Sequence, residues 1–351
     1  MSAALDQLDA GQLSRLQDYL HGAVAGFGGS LAVERCRGGQ SNPTYLLRTP
    51  GRDYVMRSKP APRTQLLPSA HAIEREYRVQ AALAGSGVPV AAMLCLCEDE
   101  SVIGRAFYVM DFVPGRIFWD PALPGLEAGG RTAIYDELNR VICELHSVDT
   151  TAAGLADYGK AGNYFERQVS RWSSQYRASE TRPIPAMDRL IEWLPRHVPA
   201  QDGGEVSLVH GDYRLDNVIF HPAEPRILAV IDWELSTLGS PLADFAYHMI
   251  TWHMRPGMFR GLQGLDLEAL GIPGEAAYAA LYQRRTGRSI AAGDWDYCLA
   301  YNLFRLAAIM QGIARRAEDG IASSAQAREF GANAAPLAEL GLRFAERAEH
   351  R

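Results

Sequence analysis

The sequence predicts an α+β protein in two lobes, a small strand-built lobe with one main helix followed by a larger, mostly helical lobe. Three observations carry this. At 351 residues the chain exceeds what one hydrophobic core usually serves. Its first third reads as strand-like runs, Thr44 to Arg48, Asp53 to Lys59, Met93 to Cys97 and Ala106 to Phe112, around one helical stretch. Beyond Pro114-Gly115, apolar residues recur at helical spacing, starting with Ile134, Leu138, Val141, Ile142 and Leu145. The expected division is therefore 1–113 and 114–351.

Taken in order, Leu5, Leu8, Leu13, Leu16 and Leu20 predict an amphipathic helix packed on the small lobe. Ser69 to Leu83 reads as a helix with Ser69 as its cap and Ile73, Tyr77, Gln80 and Leu83 at helical spacing, ending at Gly85-Ser86-Gly87. Further helices are expected over Tyr164 to Ser179, Met187 to Pro195, Glu275 to Thr286, Trp295 to Ala317 and Ser324 to Ala348.

Composition is that of an ordinary globular protein, 47% hydrophobic and 22% charged, which argues against disorder. The net charge of -6, with no basic run, argues against nucleic acid or an anionic membrane as partner and for a small substrate. Five cysteines without metal-ligand spacing read as reduced, buried thiols. The N-terminus lacks the pattern of a signal peptide and no run is long enough to span a bilayer, so a cytoplasmic location is expected.

The chemistry is concentrated in one stretch. Leu208-Val209-His210-Gly211-Asp212 is followed by Asn217, and the apolar run Ile227 to Ile231 ends at Asp232. Phosphoryl transfer asks a protein mainly to position an acceptor hydroxyl and to neutralise phosphate charge. Asp212, just past a strand-like run, is placed to face the hydroxyl. Mg²⁺ prefers hard oxygen ligands and keeps several waters, so one carboxylate, Asp232, and one amide, Asn217, form a suitable shell with the phosphates. The runs Val218 to Phe220 and Ile227 to Ile231 predict a hairpin carrying Asn217 and Asp232 at its open end. An Asp or Asn beside a strand is more often a turn former than a ligand. Here the joint spacing favours the site.

This pattern, His-Gly-Asp, then Asn, then Ile-Asp-Trp-Glu, resembles the aminoglycoside phosphotransferase and choline kinase family of the protein-kinase-like fold. The resemblance implies a small antiparallel sheet in the first lobe, with ATP and Mg²⁺ as cofactors. It implies Asp212 as the catalytic or acceptor-orienting residue and Asn217 and Asp232 as magnesium ligands. His210 then fixes the loop by hydrogen bonding, and Asp244 anchors it from within the large lobe or caps the next helix. Glu234, two positions after Asp232, is placed for an outer metal water or the substrate if the strand continues.

The same resemblance predicts a phosphate lid at Gly38, Gly39, Gln40 and Ser41, and a phosphate cation on the next strand. There the usual lysine is replaced by Arg57, a planar fork of donors instead of a point charge, while Lys59 faces the same side and competes for the role. Glu76 on the following helix is the matched partner of that cation. Glu74 points elsewhere on the helix. Backbone groups from Asp111 to Val113 are expected to pair with adenine.

The run Arg57-Ser58-Lys59-Pro60 with Leu66 to Tyr77 further resembles the phosphotransferase-like part fused to some acyl-CoA dehydrogenases. This implies a hydroxyl acceptor such as a hydroxy acid or hydroxyacyl thioester. The alternative is a nucleotide-binding pseudokinase acting as a regulatory module, suggested by Arg57. Trp172, Arg171, Trp252, His253 and Arg305 are candidates for an acceptor pocket, but such residues more often close a core.

Overall fold

In a computed structural model the described residues are 8–36, 42–60, 72–160, 162–200, 206–258, 260–320 and 327–351. The chain forms two compact units. The first runs through Arg116 and also takes in Ile219–Pro222 and Leu228–Glu234; the second holds the rest.

The first unit opens with α1 (Ala10–Ala23), capped by Asp9, whose carboxylate accepts the Gln12 amide while the Gln12 side chain returns to the Asp9 amide. Then come β1 (Ala32–Arg35), β2 (Thr44–Arg48), β3 (Asp53–Ser58), α2 (Ile73–Leu83), β4 (Met93–Cys97), α3 (Glu100–Ile103) and β5 (Phe107–Asp111). The five strands form one antiparallel sheet in the order β1-β2-β3-β5-β4. Strand alternation gives this sheet two different faces. Tyr45, Leu47, Tyr54 and Met56 pack with Leu16 and Leu20 of α1, as the leucine spacing predicts. Tyr108 packs with Ile73 of α2. The expected cap Ser69 lies outside the described residues, and α2 starts at Ile73.

The second unit is helical, with α4 (Ala128–His146), α5 (Tyr164–Ser179), α6 (Pro185–Trp193), α7 (Pro241–Met249), α8 (Leu267–Leu270), α9 (Glu275–Thr286), α10 (Ala292–Glu318), α11 (Ala327–Gly331) and α12 (Ala334–Glu349). The helix expected over Ser324 to Ala348 is therefore broken. Asn333 explains the break, donating its side-chain amide to the carbonyls of Glu329 and Phe330 where the first piece ends. Short strands β6 (Ser207–Val209) and β9 (Thr237–Gly239) pair antiparallel within this unit. Strands β7 (Val218–Phe220) and β8 (Ile227–Val230) pair with each other, as the hairpin reading expected. The strand does not continue to Glu234, because a 3₁₀ turn, Trp233–Leu235, follows.

Near the boundary, Gly115 is sterically required. A Cβ there would lie 2.3 Å from the Phe220 carbonyl oxygen, where Arg116 and Phe220 exchange backbone hydrogen bonds of 2.8 Å. Among the described residues no helix is long and apolar enough to cross a membrane. The cysteines are free thiols, four of them buried.

Candidate active site

In the first unit the centre is Arg57. It lies on β3 opposite Tyr108 of β5, on the face covered by α2, and is 9% exposed. Its Nε forms an ion pair of 3.0 Å with Glu76 Oε2, and its Nη2 donates to Asp232 Oδ1 at 2.9 Å and Glu234 Oε2 at 3.4 Å. Glu76 is itself buried and accepts from Asn42 Nδ2 at 2.7 Å and from the Tyr108 hydroxyl at 3.1 Å. Burial works against the Arg57 charge, but Glu76, Tyr108, Asp232 and Glu234 outweigh it and raise its pKa, so it stays protonated. Burial also raises the Glu76 carboxyl, and Arg57 pulls it back. Lys59 takes a separate partner, Glu74, and both are substantially exposed. The cation competition is thereby divided into a buried pair and a surface pair.

Asp232 sits two residues past β8 with φ of 67°, a left-handed backbone that costs most residues energy and that Asp tolerates better than most. Asp111 gives its amide to the Ala92 carbonyl at 2.9 Å and its carboxylate to Arg52. Val113 follows the end of β5. Gly38, Gly39, Gln40 and Ser41 lie outside the described residues.

In the second unit the centre is Asp212. Gly211 before it has φ of 80°, and a Cβ there would come within 2.7 Å of the Leu235 carbonyl oxygen, so the middle residue of His-Gly-Asp must be glycine. The loop is tied from below by Asp244 in the first turn of α7. Its carboxylate accepts the backbone amides of His210 and Gly211, each at 2.8 Å, and His146 Nε2 at 3.2 Å. Ser240, not Asp244, caps α7 through the Ala243 amide. Burial lowers the His146 pKa, so the ring is neutral at pH 7, donating from Nε2 to Asp244 and accepting the Tyr282 hydroxyl at Nδ1, 2.8 Å away. Burial opposes the charge of Asp244, but the histidine and loop hydrogen bonds hold its pKa below the usual carboxylate range. The His210 ring accepts the Asp212 amide at Nδ1, 3.1 Å away, which commits it to loop geometry.

The Asp212 carboxylate accepts hydrogen bonds from the Tyr247 hydroxyl at 2.6 Å, Asn217 Nδ2 at 2.8 Å and Arg214 Nη2 at 3.1 Å, while Arg214 Nε lies 3.0 Å from its Oδ1 as an ion pair. Asn217 also donates to the Asp212 carbonyl at 2.8 Å, so its nitrogen is committed and its oxygen is the atom turned to other duty. Sequence reasoning missed Tyr247, Arg214 and the role of Arg305. Arg305 is buried, donates to the Gly211 carbonyl and stacks on Tyr247 and Trp172, with its guanidinium 4.8 and 5.4 Å from the ring centres. Trp252 is buried and donates to the Pro273 carbonyl, and His253 contacts Glu275, in keeping with the commoner reading of such residues as closing a core.

Residues 32–285 match the model of the phosphotransferase enzyme family called APH. The chain belongs to that family. A crystal structure from Ralstonia eutropha JMP134 bearing the aminoglycoside phosphotransferase name is 57% identical, with a TM-score of 0.88 over 97% of this chain and 99% of that one. Choline kinase from Cryptosporidium parvum, at 10% identity, shares the fold with a TM-score of 0.66 over 96% of each chain. The mouse acyl-CoA dehydrogenase family members 10 and 11 are 48% and 42% identical over 94% and 95% of this chain. The chain spans only 31% and 43% of their lengths. This phosphotransferase therefore has the kinase-like fold and is, by class, a small-molecule kinase.

Proposed function

We propose that the protein transfers the γ-phosphoryl group of ATP to a hydroxyl of a small molecule, with Asp212 orienting the hydroxyl and taking its proton. The bond from the γ-phosphorus to the ADP oxygen breaks as the bond to the acceptor oxygen forms, and ADP departs. The observation that carries this is Asp212 itself, a carboxylate fixed by Tyr247, Arg214 and Asn217 on a loop whose two preceding amides are tied to Asp244. Asp232 and Asn217 fit magnesium by donor chemistry, since both offer hard oxygens and the Asn217 nitrogen is already engaged. Bound there, magnesium would neutralise phosphate charge. Arg57 holds the phosphates and Glu76 holds Arg57. The segment Asp111 to Val113 meets adenine through its backbone.

Two distant structural neighbours at 15% and 12% identity are complexes of ADP with hygromycin B and with spectinomycin, which supports nucleotide use by this fold. Kinship with the acyl-CoA dehydrogenase relatives favours a hydroxy acid or hydroxyacyl thioester as acceptor over an antibiotic. The test is Mg-ATP turnover against hydroxy acids, hydroxyacyl-CoAs, choline and aminoglycosides, with Asp212→Asn and Asp232→Ala as controls. Response to choline or aminoglycosides alone would sink the acceptor class. A second reading, a nucleotide-binding regulatory module, is favoured by Arg57 being engaged with Asp232 and Glu234. Nucleotide binding with no acceptor phosphorylated across the panel would select it.

A further inference from the structure

A carboxylate has about four lone-pair sites. At Asp212 three are taken by hydrogen bonds from the Tyr247 hydroxyl, Asn217 Nδ2 and Arg214 Nη2, the last on Oδ2, and Arg214 Nε lies against Oδ1 in an ion pair of 3.0 Å. One guanidinium thus meets both carboxylate oxygens, and an acceptor hydroxyl gains full access to Asp212 only when Arg214 withdraws. Tyr247 and Asn217 are buried, at 3% and 6% exposure, whereas the Arg214 side chain is 22% exposed. Arg214 is the donor nearest solvent.

Where it would go is visible in the same unit. A pocket lined by Trp119, Arg214, Tyr247, Ile250, Met254 and Arg260 adjoins the Asp212 loop. Within it Asp216, 7% exposed, is paired with Arg260 and lies 3.5 Å from Arg214. The Arg260 guanidinium stacks on the Trp119 ring 5.1 Å from its centre, and Trp119 is exposed over 63% of its surface. Arg260 has φ of 51°, and the chain just after it is pinned by the Leu262 amide to the Thr251 carbonyl and the Gln263 amide to the Met254 carbonyl. A strained arginine in a fixed turn, beside an exposed tryptophan and apolar walls, is a built recognition surface. Its polar wall is guanidinium-rich, and its one carboxylate is already answered.

We propose that this pocket binds an anionic group of the acceptor between Arg260 and Arg214, and that this anion draws Arg214 off Asp212, opening the carboxylate to the acceptor hydroxyl. This rests on the phosphotransfer reading for Asp212 and adds the charge of the acceptor and the residues that select it. Polycationic acceptors meet the wrong wall. Acceptors lacking the anion leave Arg214 on Asp212, so binding and activation are coupled.

The test uses the full chain and three probes of matched length, 6-hydroxyhexanoate, its methyl ester and 6-aminohexan-1-ol. Binding is read from tryptophan fluorescence, with Trp119→Phe identifying the local signal, and turnover from ADP release. The carboxylate should bind about tenfold tighter than the ester or the amine, roughly the worth of one charge-assisted hydrogen bond. Arg260→Gln should erase that preference and Arg260→Lys restore part of it. Arg214→Gln should weaken the preference and raise acceptor-independent ATP hydrolysis, because Asp212 is then open to water. Equal binding of the three probes, no binding of any, or a preference unchanged in both glutamine variants overturns the proposal. Charge-selective binding without ADP release leaves the pocket standing and counts against the phosphotransfer reading instead.

Discussion

The two units hold inverted versions of the same arrangement. In the sheet unit a single cation, Arg57, is ringed by carboxylates, Glu76, Asp232 and Glu234. In the helical unit a single carboxylate, Asp212, is ringed by donors, Tyr247, Arg214 and Asn217. Each key charge is thus already compensated within its own unit. Ligands must exchange partners with these groups, and such exchanges give selectivity, because only a ligand of the right charge can repay the partner it displaces. The two differ in depth. Arg57 rests on a buried carboxylate that cannot move away, while Asp212 has one partner, Arg214, at the surface.

The comparison can be broken at either centre. Asp212→Asn keeps the shape but removes the charge that collects the donors; turnover should fall by about 10²- to 10⁴-fold, with little change in melting temperature. A variant of near-normal rate would end the reading of Asp212. Arg57→Ala should act first on stability. It strands Glu76 in a buried site, and loss of one partner of a buried pair costs about 3–5 kcal/mol, measurable by urea unfolding. Arg57→Lys keeps a charge and should recover most of that loss, and its ATP turnover shows how far the guanidinium fork matters.

Acid sharpens the contrast, because the helical unit contains buried neutral histidines. Burial pushes His248 down to about 4 from an ordinary 6.5. The unfolded chain then binds the extra proton, so stability is present above about 6.5 and is lost as pH falls toward 4, on the order of 3 kcal/mol in all. His146 contributes in the same direction. Unfolding of His248→Gln at pH 7 and pH 4.5 should show a shallower loss than the parent. The smallest effect belongs to Lys59→Ala, since its pair with Glu74 is exposed on both sides; about 0.2–1 kcal/mol is expected, with turnover preserved.

Much of this was legible in the sequence where the signal is local. The span of α5, Tyr164–Ser179, and that of α9, Glu275–Thr286, follow from periodicity. His210, Gly211, Asp212, Asn217 and Asp232 stand out by spacing alone. The choice between Arg57 and Lys59 was not legible, because both face one side of a strand; what separates them is that β3 ends at Ser58, leaving Lys59 beyond its end. Tyr247 and the role of Arg305 were missed for a related reason. Their partners lie 35 and 94 residues away in the chain, and a buried aromatic or arginine carries the same local pattern whether it closes a core or steadies a loop.

The sheet unit is also discontinuous in sequence. Two short pieces, Ile219–Pro222 and Leu228–Glu234, belong to it although more than a hundred residues separate them from Arg116. A chain emerging from the ribosome has made all five strands by Asp111, yet it still lacks Phe220, which closes on Arg116, and Asp232, which closes on Arg57. The unit synthesised first is therefore completed late, only once β8 and the residues up to Glu234 have been made. Its last contacts are of high sequence separation and form slowly. A fragment ending at Arg116 would carry all five strands and Glu76 but neither Asp232 nor Glu234, the two carboxylates that complete the ring around Arg57.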